Sequence, residues 1–310
     1  MSVRGAARRG ILHVRARGAR RSGASIRMRG WFMVAVLVLV VLLAGAWATL
    51  QYGATRWHAD SNTLRARMLA LQPERRSTYD AADILDLPAP VRRYFATVLQ
   101  PGLPQPRSAH VTTAGMFLMD VDAGSWTPFV AEQLVTTGPP GFDWSAKMPV
   151  FPGVDVLVRD SYVEGGGSLR AAIGGLVTVA EAGGSPEAAA GELLRYLAEA
   201  VWVPTALLPE HGVKWQALDG RRALATLTDG ATTVSLEFRF GANGLVTEVY
   251  APARPRIVGD RTLPTPWLGR WSHYERRHGM LVPTTGEVAW VLPEGALPYW
   301  KGRLVDVAYD

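Results

Sequence analysis

The spacing of hydrophobic positions changes four times along this 310-residue chain, and each change predicts a new element. Trp31 to Leu50 is a continuous apolar run, twenty residues without a charge. As a helix rising 1.5 Å per residue it would be about 30 Å long, the thickness of a bilayer's hydrocarbon core. Residues 55–100 read as helical. Leu64, Met68 and Leu71 recur at helical spacing until Pro73, continuing the apolar run as a stalk. Val91, Tyr94, Phe95 and Val98 share one side of a second helix that begins near Pro88 or Pro90, with Asp86 as its candidate cap.

From Ala109 to about Val179 the period falls to two. Val111–Met119, Phe129–Thr136 and Val154–Val163 alternate between breaks of Gly, Pro and Asp, which predicts strands. One helix interrupts them. Ser185 is a good N-cap, Pro186 suits the first helical position and Glu187 the first turn. Ala190, Leu193, Leu194, Leu197 and Val201 form its apolar stripe, while Glu192, Arg195 and Glu199 form a polar one. Strands then return at Lys214–Leu218, Ala223–Leu227, Thr232–Phe240 and Leu245–Tyr250, separated by Asp-Gly and Asn-Gly pairs that supply the positive φ of hairpin turns. A Pro-rich connection over Ala251–Pro266 leads to Gly269–Arg277, Gly286–Leu292 and Lys301–Tyr309. The expected fold is α+β and mainly antiparallel β: an N-terminal transmembrane helix, then eight to eleven strands in a large curved, half-barrel-like sheet with one central helix over its concave face. The expected division is a basic tail (1–30, disordered), a transmembrane helix (31–50), a helical stalk and linker (51–107) and one β-rich domain (108–310).

Charge sharpens the membrane reading. Residues 1–59 hold ten Arg and no acid, so the rest of the chain has 23 basic against 27 acidic side chains. The overall +6 therefore belongs to the tail, and the folded part is not expected to bind nucleic acid. Six Arg lie within twenty residues before the apolar run and three within twenty after it. That bias predicts a single-pass protein of the cytoplasmic membrane, with its N-terminus inside and its C-terminal domain outside. A cleaved signal peptide is the rival, with Ala44-Gly45-Ala46 as the cleavage site, but the apolar run exceeds the usual ~7–15 residues of such a segment. Residues 1–27 read most simply as a topogenic or spurious extension, Met28 being a plausible start; binding of anionic lipid or nucleic acid is the alternative. The absence of Cys excludes disulfides, thiolate metal sites and a Cys nucleophile.

Several short stretches carry a resemblance: Leu87-Pro-Ala-Pro-Val-Arg-Arg-Tyr-Phe95, Gly191-Glu-Leu-Leu-Arg-Tyr-Leu-Ala-Glu199 with Trp202 and Pro204–Leu208, and Pro266-Trp-Leu-Gly-Arg270. Gly279–Pro283, Glu287–Trp290 and Pro298–Gly302 extend it. Together they resemble an uncharacterised bacterial membrane-anchored family of unknown function, over about residues 85–310. The strand–helix–strand layout is similar to the half-barrel of the lipoprotein-localisation proteins, and that resemblance implies a concave face able to take acyl chains.

No catalytic or cofactor motif stands out. Glu192, Arg195 and Glu199 lie on one side of the helix, where a head group or a general base would need them; a solvated salt-bridge ladder worth a few tenths of a kcal/mol is the simpler reading. His273-Ser-Tyr-Glu-Arg-Arg-His278 invites a metal, but alternation in a strand points His278 away from His273 and Glu275, so no metal is expected. Asp120-Val-Asp-Ala-Gly124 lacks the Glu of a calcium loop and reads as a hairpin tip. Eight Trp fall beyond residue 107, enough to line an amphiphile pocket or to fill a β core. The expected function is a membrane-anchored extracytoplasmic module that binds an apolar or lipid-like ligand without a cofactor, through Glu192, Arg195, Tyr196, Glu199, Trp202, Tyr274 and Trp290. A carboxylate-dependent hydrolase and a structural, partner-binding envelope protein are the alternatives.

Overall fold

The computed structural model describes residues 22–74, 77–120, 124–259 and 261–310. Most of the basic tail and residues 121–123 of the expected Asp120–Gly124 tip lie outside them. The chain divides into two compact units, Met1–Thr49 and Leu50–Asp310. Helix α1 (Ser22–Ala70) contains the apolar run and is, among the described residues, the one helix long and apolar enough to cross a membrane.

In the second unit thirteen antiparallel strands form one curled half-barrel. They are β1 (Ser108–Asp120), β2 (Ser125–Thr137), β3 (Pro140–Phe151), β4 (Val154–Val163), β5 (Gly166–Ile173), β6 (Val177–Gly183), β7 (Lys214–Ala217), β8 (Arg222–Asp229), β9 (Thr232–Phe240), β10 (Val246–Val258), β11 (Arg261–Arg277), β12 (Met280–Leu292) and β13 (Gly295–Tyr309). Their order across the sheet is 6-5-4-3-2-1-13-12-11-10-9-8-7. The closing β1–β13 pair joins the two ends of the β sequence, so the two arms are meanders that meet at the middle of the sheet.

Strand count is the main correction to the sequence reading. Alternation did not resolve β3, β5 and β6, and the Pro-rich connection expected at Ala251–Pro266 is itself strand. It forms the outer halves of β10 and β11, paired from Ala251↔Trp267 to Val258↔Arg261 across a bulge between Ala251 and Arg254. Proline survives there because β9 stops pairing with β10 at Tyr250 and β12 starts pairing with β11 at Trp267. Both outer edges of this ribbon are free of ladder hydrogen bonds, the setting in which strands tolerate proline.

The concave face is covered by α3 (Pro186–Glu199), capped by Ser185 as expected, whose hydroxyl accepts a hydrogen bond from the Ala188 amide at 3.1 Å. Leu193 and Leu197 are fully buried beneath it. The helix sits close because β5 presents Gly167, where a Cβ would stand 2.3 Å from the Ala188 carbonyl oxygen. Short 3-10 turns at Ala200–Trp202 and Pro204–Leu207, with α2 (Ala89–Val98), fill the rest of the core. α2 starts at Pro88 without a side-chain cap, so Asp86 does not play the part expected of it.

The convex face of β3–β5 is covered too. Residues 50–70 of α1 lie on it: Trp57 packs with Leu157 and Ala172, and Arg65 donates to the Asp143 carboxylate at 2.6 Å. Arg159 donates to the Trp57 carbonyl at 2.8 Å and to Ser61. Asp143 is fully buried. Burial pushes its carboxyl up, against the lowering pull of Arg65 and Arg159.

Candidate functional site

Part of the space between the two arms, on the concave face, is not filled. Between the polar side of α3, the inner face of β4–β5 and the outer parts of β10–β13 lies an open-mouthed cavity of about 420 Å³. Small-molecule sites run from about 300 to 1,000 Å³. Trp267, Trp271, Trp290, Trp300 and Tyr299 make its aromatic wall, and Leu297 and Ile257 stand nearest the hairpin ends of their strands.

The wall facing them is charged. Arg195 pairs with Asp160 on β4 and, at 2.8 Å, with Glu199 one turn along the helix. Its guanidinium stands over the rings of Phe142 and Trp144 at 4.9 and 5.0 Å. Gln133 donates to the other Glu199 oxygen at 2.8 Å. Burial alone would lower the Arg195 pKa, but Glu199, Asp160 and Glu192 together outweigh it and raise it. Arg254 enters from β10. It donates to the Gly191 carbonyl at 3.2 and 3.3 Å and to the Tyr299 hydroxyl at 2.9 Å, sandwiched near Trp267 and Trp290. Tyr299 in turn accepts from the Trp267 indole at 2.8 Å and stacks on Trp290.

Glu192 lies between these two arginines. Its side chain is 15% exposed, 3.9 Å from Arg254. Burial pushes its carboxyl up to about 8, helped by Asp160 and opposed by Arg254 and Arg195. Glu192 Oε2 and Asp160 Oδ1 are both buried and without a hydrogen-bond partner. A proton held on Glu192 and offered to Asp160 satisfies both groups. With that proton in place the cluster sets one uncharged acid beside Arg195 and Arg254, and Arg256 also lines the cavity.

Residues 85–309 match the family described as Family of unknown function (DUF6920). The chain belongs to that family. No curated protein matches this DUF6920 chain. Among solved structures it is similar to a LolA superfamily protein from Nitrosomonas europaea, at 11% identity and a TM-score of 0.39, over 71% of this chain and 92% of that one. A domain described as an outer membrane lipoprotein-sorting protein from Vibrio parahaemolyticus matches at 8% identity and a TM-score of 0.36, over 66% and 85% of the two chains.

Of the seven residues singled out by sequence in this DUF6920 protein, Glu192, Arg195, Glu199 and Trp290 line the cavity. The other three do not. Tyr196 donates to the Thr136 carbonyl at 3.0 Å, outside the cavity. Trp202 donates to the Pro283 carbonyl and Tyr274 to the Val246 carbonyl, both within the packed core. The simpler reading of the polar stripe, a solvated ladder, is corrected: Arg195 and Glu199 side chains are only 14% and 16% exposed. Asp160 and Arg254 were missed, while Tyr299, one of the rings that accompany the Trp set in the sequence, lines the cavity. For Asp160 the signal existed, since alternation places it on one face with Val156, Val158 and Tyr162, a lone acid in an apolar row.

Proposed function

We propose that this protein is a membrane-anchored extracytoplasmic module whose half-barrel binds a single-chain amphiphile. The apolar chain lies along the Trp267–Trp290 wall, and the polar group reaches Arg254 and Glu192. The observation that carries this reading is the pairing, in one cavity, of an indole-rich wall with a buried and nearly neutral polar cluster. Such a cavity suits a ligand with one apolar end and one hydrogen-bonding end. The apolar run before Leu50 and its arginine bias support an anchor with the half-barrel outside. A fatty acid bearing a photoreactive diazirine, offered to the full chain in phospholipid nanodiscs, is expected to crosslink to peptides of β10–β13. Crosslinks confined to residues 31–50 or to the convex face would sink the proposal.

A second reading rests on the Glu192–Asp160 pair. Two carboxyls sharing a proton beside arginine can act as a general acid and base, which makes ester hydrolysis of the bound amphiphile the reaction to test. It predicts release of free fatty acid from phosphatidylglycerol vesicles by the wild-type chain, and none by Glu192→Gln. No release by wild type removes the hydrolase reading and leaves the binding module standing.

A further inference from the structure

Antiparallel pairing gives the sheet two edges of strand-to-strand turns, and the two differ in chemistry. One edge carries the turns at 137–140, 163–166, 217–222, 240–246 and 277–280. In those turns Leu218 is the one large exposed apolar side chain among the described residues. This is ordinary, because Gly, Asn and Asp form turns and face water. The other edge is apolar at four of its six tips among the described residues. Met119 is next to last in β1, Phe151 ends β3 and Leu176 and Val177 form the β5–β6 turn; further round the curl, Ile257 and Val258 end β10, while the turns at 229–232 and 292–295 carry no large exposed apolar side chain. Phe151 is 73% exposed, Ile257 63% and Val177 62%. No turn geometry calls for a Phe followed by Pro152-Gly153 at a tip, so the side chain itself needs a reason to be there.

The chain's own path supplies one. Leu50, the last residue of the apolar run, lies against the β5–β6 turn: a Cβ on Gly174 would meet its side chain at 2.6 Å, and one on Gly53 would meet the Gly174 carbonyl at 2.3 Å. Leu50, the first residue of the second unit, therefore lies at this edge. The cavity's Ile257 and Leu297 are the lining residues nearest that edge on their strands.

We infer that this edge is a membrane-contact rim, its hairpin tips set into the headgroup boundary of the same bilayer that residues 31–50 cross. Apolar side chains buried about 5–10 Å into that boundary hold a peripheral surface in place, and aromatic tips suit it. The inference rests on the anchor reading but not on what the cavity binds.

The chain has no Cys, so single-Cys variants can be labelled without background. Phe151→Cys, Val177→Cys and Val258→Cys would each carry an NBD fluorophore in the full chain, held in phosphatidylcholine nanodiscs with and without doxyl-labelled phosphatidylcholine. Leu218→Cys and Ala242→Cys, on the opposite edge, are the controls. The three rim positions are expected to show blue-shifted emission and to lose fluorescence to the spin label, while the controls keep theirs. Equal quenching at both edges, or none at the rim, overturns the rim; the latter would point to a protein partner covering these tips. A chain released from membranes by alkaline carbonate would instead overturn the anchor, which keeps the two failures apart.

Discussion

Replacing Arg195 with alanine is expected to cost the folded domain about 3–5 kcal/mol, the usual consequence of leaving buried carboxylates without their partner. The Asp160 and Glu199 side chains are 11% and 16% exposed and would face each other across an emptied, weakly hydrated space. The cation's contacts with the Phe142 and Trp144 rings would go as well. For a domain of this size the melting temperature should fall by about 6–20 °C. Differential scanning fluorimetry of the full chain in detergent reads this directly. A second variant separates charge from packing. Arg195→Met combined with Asp160→Asn and Glu199→Gln removes the whole charge set while keeping its volume, and should recover much of the loss. Were Arg195→Ala to melt within about 1 °C of wild type, the stripe would behave as a surface ladder, for which a few tenths of a kcal/mol is the norm.

That stripe also marks how far the sequence reaches. Helical spacing puts Glu192, Arg195 and Glu199 on one face, and Ser185-Pro186 fixes where the helix starts; both are local properties and both were legible. What the face looks at is not local. The residues opposite are Asp160, 32 positions upstream of Glu192, and Arg254, 62 downstream, brought there by the curl of a thirteen-stranded sheet. Arg254 was hidden for a further reason. It sits in Ala-Pro-Ala-Arg-Pro-Arg, which reads as a linker because proline removes ladder donors, and only the loss of β9 and β12 as neighbours makes a strand acceptable there. Tyr196, Trp202 and Tyr274 failed in the opposite sense. Each is an amphipathic ring whose one donor goes to a backbone carbonyl inside the core, which leaves none for a ligand.

Glu192 is expected to give the domain a pH dependence opposite to that of a paired surface carboxylate. In the unfolded chain it titrates at its ordinary 4.5; in the fold, burial and the nearby Asp160 push it up to about 8. Between those values the folded chain holds a proton that the unfolded chain has released. Stability from this group is therefore fully present below about pH 4.5, falls by about 1.4 kcal/mol per pH unit above it, and is lost as pH passes 8. Glu192→Gln keeps the shape and a hydrogen-bond donor toward Asp160 but cannot release that proton. The difference in melting temperature between wild type and Glu192→Gln should change steadily from pH 5 to 8 and level off above, with the variant the more stable at the alkaline end. A difference that stays flat over that range would mean that Glu192 is ionised in the fold, held there by Arg254 and Arg195 against the cost of burial. The same variant then bears on function. If the site binds through a neutral Glu192, crosslinking of the fatty-acid probe should survive Glu192→Gln at pH 7 and, in wild type, weaken above pH 8, where an ionised Glu192 repels an anionic head group.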